Sequence, residues 1–231
     1  MSVRKPIPVE TKLYGRRAFL GVTGLGLSSL FWGERVWHAL SGVAQPIEAA
    51  LPPALVPNGW RIYTVAATMP RFDPATWRLR VDGLVERPFE VDYEELRQMP
   101  RANEVATFHC VTGWSVPNVH WSGVRLGDVI DRAGPLPSAA VLGFVSAESP
   151  YFDTLTLEQA RLHDALLAYE MNGRPLAREH GAPIRVVIPE MYGYKNVKWV
   201  QRIVFADSVV SGYWEQRGYD VDAWVGRSNG I

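Results

Sequence analysis

The chain has little cysteine and no excess of either charge. Its 231 residues include one cysteine, Cys110, which excludes an internal disulfide framework and any zinc site that needs two cysteines. The 24 basic and 24 acidic residues cancel, so no global field attracts nucleic acid, and nucleic acid is not an expected partner. Hydrophobic residues make up 47% and charged residues 21%, which excludes a disordered chain.

The N-terminal 44 residues differ from the rest in charge and pattern. They hold six basic and two acidic residues, a net charge of +4, which leaves −4 for the remainder. The pair Arg16-Arg17 is followed by Ala-Phe-Leu, and an apolar run extends from Ala18 to Trp32. This run is short for a bilayer span but suits the hydrophobic region of a signal peptide. The pattern resembles a twin-arginine export signal, and Gly42-Val43-Ala44 offers a cleavage site.

We therefore predict a signal over residues 1–44, a linker rich in proline and alanine over 45–60, and one domain over 61–231. A signal of this type implies a periplasmic protein and, as a partner, the export machinery for folded proteins. The alternative is an N-terminal helix that is kept as a membrane anchor.

The rest of the chain indicates a β-rich α+β domain, because short strands alternate with a few helices without regular βαβ spacing. Apolar alternation and β-branched runs predict strands. Capping boxes at Asp92/Glu95 and Thr156/Gln159 predict helix starts. The predicted strands are 77–83, 105–110, 140–147, 184–188 and 199–205, and the predicted helices are a short one after Asp92, 126–133, and 156–168.

Cys110 lies at the end of a predicted strand, before the turn Val-Thr-Gly-Trp-Ser. A thiol in such a place suits a soft metal ligand or a nucleophile. His109 would point to the opposite face of the strand, so it cannot easily act as a base for Cys110. A thiol hydrolase would therefore need a histidine from elsewhere, and the spacing does not choose among His120, His163 and His180.

Arg185 lies alone among the apolar residues of a predicted strand. A buried guanidinium there needs an anionic or carbonyl partner. The loop Tyr192-Gly-Tyr-Lys-Asn-Val-Lys198 can bring backbone N–H groups and a lysine to the same place, which would suit a phosphate. The alternative is a solvated basic loop with one structural salt bridge.

Three stretches carry a family resemblance, and together they extend from about Tyr63 to Tyr219. They resemble the molybdopterin-binding domain of the sulfite oxidase family, in particular the bacterial branch that includes the periplasmic protein-methionine-sulfoxide reductase catalytic subunits. The resemblance implies the mixed α+β fold of that domain and Mo-molybdopterin as the cofactor. The stretches are Phe108-His-Cys-Val-Thr-Gly-Trp-Ser115, Leu167-Ala-Tyr-Glu-Met-Asn-Gly-Arg-Pro-Leu176, and His180-Gly-Ala-Pro-Ile-Arg-Val-Val-Ile-Pro189 continuing through Trp199.

The resemblance also assigns roles to single residues. Cys110 would be the thiolate ligand of molybdenum, to which the pterin dithiolene adds two further sulfurs. Tyr219 would be the active-site tyrosine. The other implied cofactor-binding positions are Ala66, Ala67, Thr68, Ser146, His180, Arg185, Asn196, Val197 and Lys198; among them, Asn196, Val197 and Lys198 would offer backbone amides and an ammonium.

Departures from the family pattern bear on the substrate. Sulfite-oxidising members carry arginines where this chain has Ala66 and the run Gly113-Trp-Ser-Val. A dianion favours several guanidinium groups, so we expect oxygen-atom transfer on a sulfoxide-type or other small or protein-bound substrate. Sulfite oxidation is the alternative activity, and a cofactor-free secreted binding module is the alternative class.

Two further expectations concern what accompanies this domain. The chain is too short for the immunoglobulin-like dimerisation domain of sulfite oxidases, so none is expected. It carries no haem or iron–sulfur motif, so we expect electrons to be exchanged with a separate protein, such as a membrane haem protein or a cytochrome.

Replacing Arg16 and Arg17 with lysine tests the export signal. The double variant keeps the charge but loses the paired guanidinium groups, so the uncleaved precursor should stay in the cytoplasm. Cell fractionation followed by immunoblotting measures this. Normal appearance of the mature form outside the inner membrane would instead indicate a general secretory signal or an anchor.

Overall fold

The computed structural model describes residues 59–229. The predicted signal over 1–44 and nearly all of the predicted linker lie outside the described residues, and their boundaries stay predictions. The elements run in the order β1 (Leu79–Gly83), β2 (Phe89–Val91), α1 (Tyr93–Gln98), β3 (Arg101–His109), β4 (Ser115–Arg125), α2 (Leu126–Ala133), β5 (Val141–Ser146), β6 (Phe152–Thr156), α3 (Leu157–Ala160), β7 (Leu166–Met171), β8 (Arg174–Pro175), β9 (Arg185–Val187) and β10 (Val200–Ala206).

The strands form two sheets, as the α+β prediction requires. The first sheet has the order β2-β1-β10-β5-β6, in which β1 and β10 are parallel and the other pairs are antiparallel. The second is antiparallel, with the order β3-β4-β7-β8 and β9 also paired to β7. No immunoglobulin-like domain occurs among residues 59–229, and no helix there is long and apolar enough to cross a membrane.

Local signals account for the helices α1 and α2. The capping box of α1 forms as predicted, with the Asp92 side chain accepting from the N–H of Glu95 at 2.8 Å. In α2 the buried residues recur at the helical period, and Gly134 ends the helix in the left-handed region with φ of 63°. The buried side chains of α2 are Leu126, Val129, Ile130 and Ala133.

The predicted helix over 156–168 is wrong beyond its first turn. The capping box of Thr156 and Gln159 forms, but the helix ends at Ala160 and the chain enters β7 at Leu166. Residues 166–168 are fully buried between β4 and β9. A strand buried on both faces is apolar throughout, so its residues show no alternation and can be mistaken for a helix segment.

The order of the strands brings several chain ends together. Ser146 at the end of β5 pairs with Val200 at the start of β10. Arg185 at the start of β9 forms an isolated bridge with Lys198, and Cys110 follows the last residue of β3. Both sheets therefore contribute chain ends to one region of the molecule.

A close approach of two backbones in the second sheet gives a stability prediction. A Cβ on Gly123 would overlap the carbonyl of Leu167, which cannot move without disrupting the pairing of β4 with β7. Gly123→Ala should therefore lower the free energy of unfolding by at least about 2 kcal/mol.

Gly127→Ala in α2 is the matched control, because its Cβ would meet nothing within 4 Å. This variant should be neutral or up to about 1 kcal/mol more stable. Urea unfolding of the two variants provides the measurement, and equal stabilities would contradict the inferred overlap.

Candidate functional site

The thiol of Cys110 is held in the tight turn that joins β3 to β4. The Cys110 N–H donates to the carbonyl of Trp114 at 2.9 Å, and the N–H of Gly113 donates back to the carbonyl of Cys110 at 3.1 Å. Gly113 has φ of 89°, a conformation that favours glycine. The Sγ atom lies 3.2 Å from the Thr112 hydroxyl and is unpaired with any other cysteine. The turn therefore presents a partly exposed thiol on a fixed backbone.

No hydrogen bond within residues 59–229 joins a histidine to this thiol. This holds for the neighbouring His109 and for the candidates His120, His163 and His180; the hydrogen-bond partner of Sγ is the Thr112 hydroxyl. The arrangement that a cysteine–histidine hydrolase requires is therefore absent from these residues.

A single backbone hydrogen bond connects the Cys110 turn to the loop 192–198. The carbonyl of His109 accepts from the N–H of Gly193 at 2.7 Å. A Cβ on Gly193 would overlap the ring of Phe108, so the two segments lie in direct contact. The thiol and the basic loop thus belong to one region, as the resemblance implies.

Arg185 is almost fully buried, with an exposed fraction of 2%. Its guanidinium donates to the carbonyls of His180 and Asn196, both at 3.2 Å, and to that of Val186 at 3.4 Å. It also lies 5.2–5.4 Å from two aromatic ring centroids, those of Trp121 and Phe108. Three of its five N–H groups are used by these carbonyls, which leaves two for another acceptor.

The electrostatic environment of Arg185 leaves it charged. Burial lowers its pKa to about 10, so the guanidinium stays protonated near neutral pH. No carboxylate within the described residues forms an ion pair with it. The sequence predicted an anionic or carbonyl partner, and the structure provides carbonyls.

Lys198 provides a second cation next to Arg185. Its Nζ donates to the carbonyl of Tyr63 at 2.7 Å and to that of Glu179 at 3.2 Å, and lies 4.0 Å from the ring centroid of Trp199. Burial and the charge of Arg185 lower the pKa of Lys198 to about 7. The Lys198 amine is therefore about half protonated at neutral pH. A bound anion would favour its charged form.

His180 completes this group as a neutral imidazole. Its ring lies edge-on to Trp60, with the centroids 4.8 Å apart. Burial lowers the pKa of His180 to about 4, and the charges of Arg185 and Lys198 act in the same direction. At physiological pH the ring can therefore donate or accept a hydrogen bond without adding a third charge.

Ser146 joins the end of β5 to the lysine. Its hydroxyl donates to the carbonyl of Lys198 at 2.8 Å and accepts from the N–H of Glu148 at 2.9 Å. The hydroxyl therefore already has both a donor and an acceptor role within the protein. Its contribution to a ligand site would be to fix the backbone of Lys198.

Glu148 lies in this region, although no sequence motif predicted it as a site residue. It is 3% exposed, and one carboxylate oxygen accepts from the Thr64 hydroxyl and from the N–H groups of Val65, at 2.7 Å, and Ala66, at 3.3 Å. This carboxylate therefore fixes the backbone position of Ala66.

Ala67 and Thr68 continue this segment and are exposed. They lie just past the residues that Glu148 holds, and their predicted contact with a cofactor stays a prediction.

Asn196 and Val197 shape the loop from within. The Asn196 side-chain oxygen accepts from the N–H of Ile188 at 2.6 Å. The backbone N–H of Asn196 donates to the carbonyl of Gly193 at 3.1 Å, and that of Val197 donates to the carbonyl of Lys195 at 3.0 Å. Both amides therefore already have partners in the protein, so a phosphate could accept from them only if these hydrogen bonds opened.

Tyr219 packs against a residue of the same loop. Its ring is 5.4 Å from that of Tyr194 and 5.4 Å from that of Trp214. Tyr194 follows Gly193, the residue that contacts the Cys110 turn. Within residues 59–229, no hydrogen bond or ring contact joins Tyr219 to Cys110, so its predicted role as the active-site tyrosine stays a prediction.

Two buried donors near the thiol have no partner in the described part of the chain. They are the Tyr63 hydroxyl and the Trp114 indole N–H, whose rings stack at 6.4 Å with an interplanar angle of 25°. A buried donor without an acceptor costs about 1–3 kcal/mol. With the thiol, the guanidinium and the ammonium, they fit a ligand rich in acceptor atoms that carries an anionic group, as molybdopterin does.

An aromatic cluster centred on Trp60 lies in this region, and no sequence motif predicted Trp60 as part of the site. Trp60 contacts Phe108 at 4.9 Å, and Trp114 and Trp121 both at 6.2 Å, between ring centroids. These contacts join residues distant in sequence, so no local motif marks them.

The chain is similar to many curated proteins, among them three with 31–38% identity. The uncharacterized oxidoreductase YuiH of Bacillus subtilis is 38% identical over 154 residues, which cover 66% of this chain and 77% of YuiH. Sulfite oxidase of Arabidopsis thaliana is 32% identical, covering 62% of this chain and 45% of the relative. The protein-methionine-sulfoxide reductase catalytic subunit MsrP of Gluconobacter oxydans is 31% identical, covering 64% and 53% respectively.

A solved structure has the same fold. The sulfane dehydrogenase SoxCD from Paracoccus pantotrophus superposes with a TM-score of 0.59 at 26% identity, covering 71% of this chain and 46% of that one. The chain thus spans about half the length of this structure and of the sulfite oxidase and MsrP relatives.

A family model also matches more than half of the chain. Residues 66–214 match the model described as the oxidoreductase molybdopterin binding domain. This range includes Cys110 and every implied cofactor-binding position, and it excludes Tyr219. Because the match covers more than half of the chain, and because relatives named as sulfite oxidase and MsrP accompany it, the predicted resemblance is confirmed: the protein belongs to the family of molybdopterin-binding oxidoreductases.

Proposed function

We propose that this protein is a molybdenum-dependent oxidoreductase that transfers an oxygen atom, acting on a sulfoxide-type or other small neutral substrate, free or protein-bound. The observation that carries the proposal is the hydrogen bond between His109 and Gly193. It brings the Cys110 thiol and the loop that ends at Lys198 into one site. A soft metal ligand and a cationic pocket for an anion are the two features that a phosphate-bearing metal cofactor needs.

The cofactor supplies a metal centre that exchanges two electrons, and this chain's residues hold and orient it. Cys110 provides the protein ligand as a thiolate. Arg185 offers two N–H groups, and Lys198 one further proton, to a phosphate. His180 can hydrogen-bond the pterin as a neutral ring. Residues 59–229 hold no cluster of three or more histidine, cysteine or acidic side chains that could bind a metal ion by itself.

The surroundings of the thiol favour a neutral substrate. The rings nearest to the Cys110 turn belong to Phe108, Trp114, Trp60 and Tyr63. Arg185 is buried and already donates to three carbonyls. A dianion such as sulfite would lose much of its hydration here for few charge-assisted hydrogen bonds. The likeness to sulfite oxidase keeps sulfite oxidation as the second candidate.

Tyr219 would donate a hydrogen bond or a proton at the oxygen being transferred. Electrons would be exchanged with a separate redox protein, a membrane haem protein or a cytochrome. The twin-arginine pattern at Arg16 and Arg17 supports export, so we place the reaction in the periplasm.

Assays of the purified, molybdenum-loaded protein test the activity. We expect methionine sulfoxide or a related sulfoxide to oxidise a reduced viologen dye in the presence of the enzyme. Sulfite with ferricyanide as the acceptor should give a much lower rate. A faster reaction with sulfite would favour the alternative activity, and a protein without molybdenum or pterin would favour a binding module.

Cys110→Ser tests the metal ligand. The variant should fold and keep most of its pterin, because Arg185 and Lys198 hold the phosphate, but it should lose activity since a hydroxyl is a poor ligand for a soft site. Val105→Ser is the control, because Val105 lies on β3, the strand that precedes Cys110, and is 54% exposed. Turnover, molybdenum content and circular dichroism are measured. Full turnover by well-folded Cys110→Ser would exclude the ligand role.

Lys198→Met tests the anion pocket through its pH dependence. Only the ammonium attracts a phosphate, and the pKa of Lys198 is about 7, so cofactor retention should fall from pH 7 to 9. The pKa of Arg185, about 10, keeps its charge over this range, and a phosphate is already dianionic.

The variant should bind the cofactor about 10- to 100-fold more weakly at pH 7, since it lacks a charge-assisted hydrogen bond. It should also lose the pH dependence. Molybdenum and pterin retained after dialysis provide the measurement, with Arg185→Lys as a companion that keeps a charge but lacks the planar fork. Equal retention by Lys198→Met and the wild type at pH 7 would place the phosphate elsewhere.

A further inference from the structure

A buried group of three ionisable side chains has no part in the proposed reaction. Lys195 Nζ donates to Asp153 Oδ1 at 2.8 Å, to the carbonyl of Thr154 at 3.0 Å, and to Glu215 Oε1. All three ionisable side chains are about 1% exposed. Burying an ion pair is often no more stabilising than an apolar contact, so stability alone does not explain this group.

The charges of the group do not balance. One ammonium faces two carboxylates, and burial raises the pKa of Asp153 to about 7 although Lys195 opposes the rise. Burial therefore favours the protonated form of Asp153 more than it would be favoured in an exposed carboxyl group. When Asp153 is protonated, the three side chains together have no net charge.

The Lys195–Glu215 pair joins two segments that are otherwise distant in the chain. Lys195 belongs to the loop between β9 and β10, and Glu215 begins the 3-10 turn Glu215–Arg217 after β10. The second carboxylate oxygen of Glu215 accepts from the N–H of Gly212 at 2.8 Å. A Cβ on Gly212 would overlap the carboxyl group of Asp153, so this segment packs directly on the buried group.

The residues that precede this pair in sequence are the two that enclose Tyr219. Tyr194 precedes Lys195 and Trp214 precedes Glu215, and each ring lies 5.4 Å from that of Tyr219. The Tyr219 N–H donates to the carbonyl of Trp214 at 3.3 Å. The separation of the two enclosing rings therefore depends on the separation of Lys195 and Glu215.

We propose that the Lys195–Glu215 ion pair positions Tyr219 by fixing the backbone positions from which Tyr194 and Trp214 enclose its ring. The inference rests on the proposed role of Tyr219 in the reaction. A charge-assisted hydrogen bond fixes the distance between two segments, whereas apolar side chains can slide past each other. Lys195 and Glu215 are thus positioning residues and contact neither substrate nor cofactor.

Glu215→Gln and Asp153→Asn form a matched pair of variants. Each is isosteric and removes one carboxylate from the group. Asp153→Asn resembles the protonated state of Asp153 and leaves the Lys195–Glu215 pair intact. Glu215→Gln weakens the link between the loop and the segment that carries Tyr219.

In the molybdenum-loaded enzyme, Glu215→Gln should lower kcat for the sulfoxide about 10- to 100-fold through misplacement of Tyr219. KM should change less than about twofold, because the loss arises in the transition state. Asp153→Asn should change kcat less than about threefold. Equal losses in the two variants would overturn the proposal, since they would indicate a role in stability alone.

A double-mutant cycle distinguishes positioning of Tyr219 from a purely structural role of Glu215, because only positioning makes the two effects on kcat non-additive. On a Tyr219→Phe background, Glu215→Gln should cause no further loss in kcat, because both changes remove the same hydroxyl from its position. Losses that multiply, or a Tyr219→Phe variant with wild-type kcat, would overturn the proposal.

Hydrogen exchange separates a failure of this inference from a failure of the proposed activity. The backbone amides of residues 212–219 should exchange faster in Glu215→Gln than in the wild type, and at the wild-type rate in Asp153→Asn. This comparison needs no turnover, so it tests the positioning role of the Lys195–Glu215 ion pair even if sulfoxides are not substrates. Unchanged exchange in Glu215→Gln would refute that role.

Discussion

Arg185 is buried without a carboxylate partner among residues 59–229, and this constrains the rest of the site. Its guanidinium is satisfied by carbonyls of His180, Val186 and Asn196, which belong to the turn before β9, to β9 itself and to the loop after it. These carbonyls can converge only if the turn and the loop fold back onto β9. That arrangement places His180 and Lys198 next to each other, and the rings that flank Arg185 lie on β3 and β4, the strands that hold the Cys110 turn.

Two lysines of one loop illustrate how charge balance separates structural from ligand-binding roles. Lys195 faces two buried carboxylates, so it has no remaining attraction for an anion. Lys198, three residues later, donates to carbonyls and forms no ion pair within the described residues. An anion that approaches this loop therefore gains at Lys198 and Arg185 and not at Lys195. The loop can hold its own shape and bind a ligand because these tasks fall to different residues.

The sequence predicted the features that local pattern controls. The strands β1, β3, β5, β9 and β10, both capping boxes and the turn after Cys110 follow from alternation, capping and glycine placement. The error at residues 156–168 arose because β7 is buried on both faces and has no alternation. Glu148 could not be predicted, since it holds Val65 across 83 positions in the chain, and no pattern near either residue records that contact.

The site therefore has two parts with different chemistry. Around Arg185 and Lys198 two cations lack carboxylate partners within the described residues, which suits the anionic end of a cofactor. Around Cys110 the neighbours are aromatic rings, with buried donors on Tyr63 and Trp114. Related enzymes that act on sulfite would need cations in this second part, because a dianion cannot be desolvated against rings. The two parts therefore suit different ligand groups: two cations suit an anion, and aromatic rings with buried donors suit an uncharged group that offers acceptor atoms.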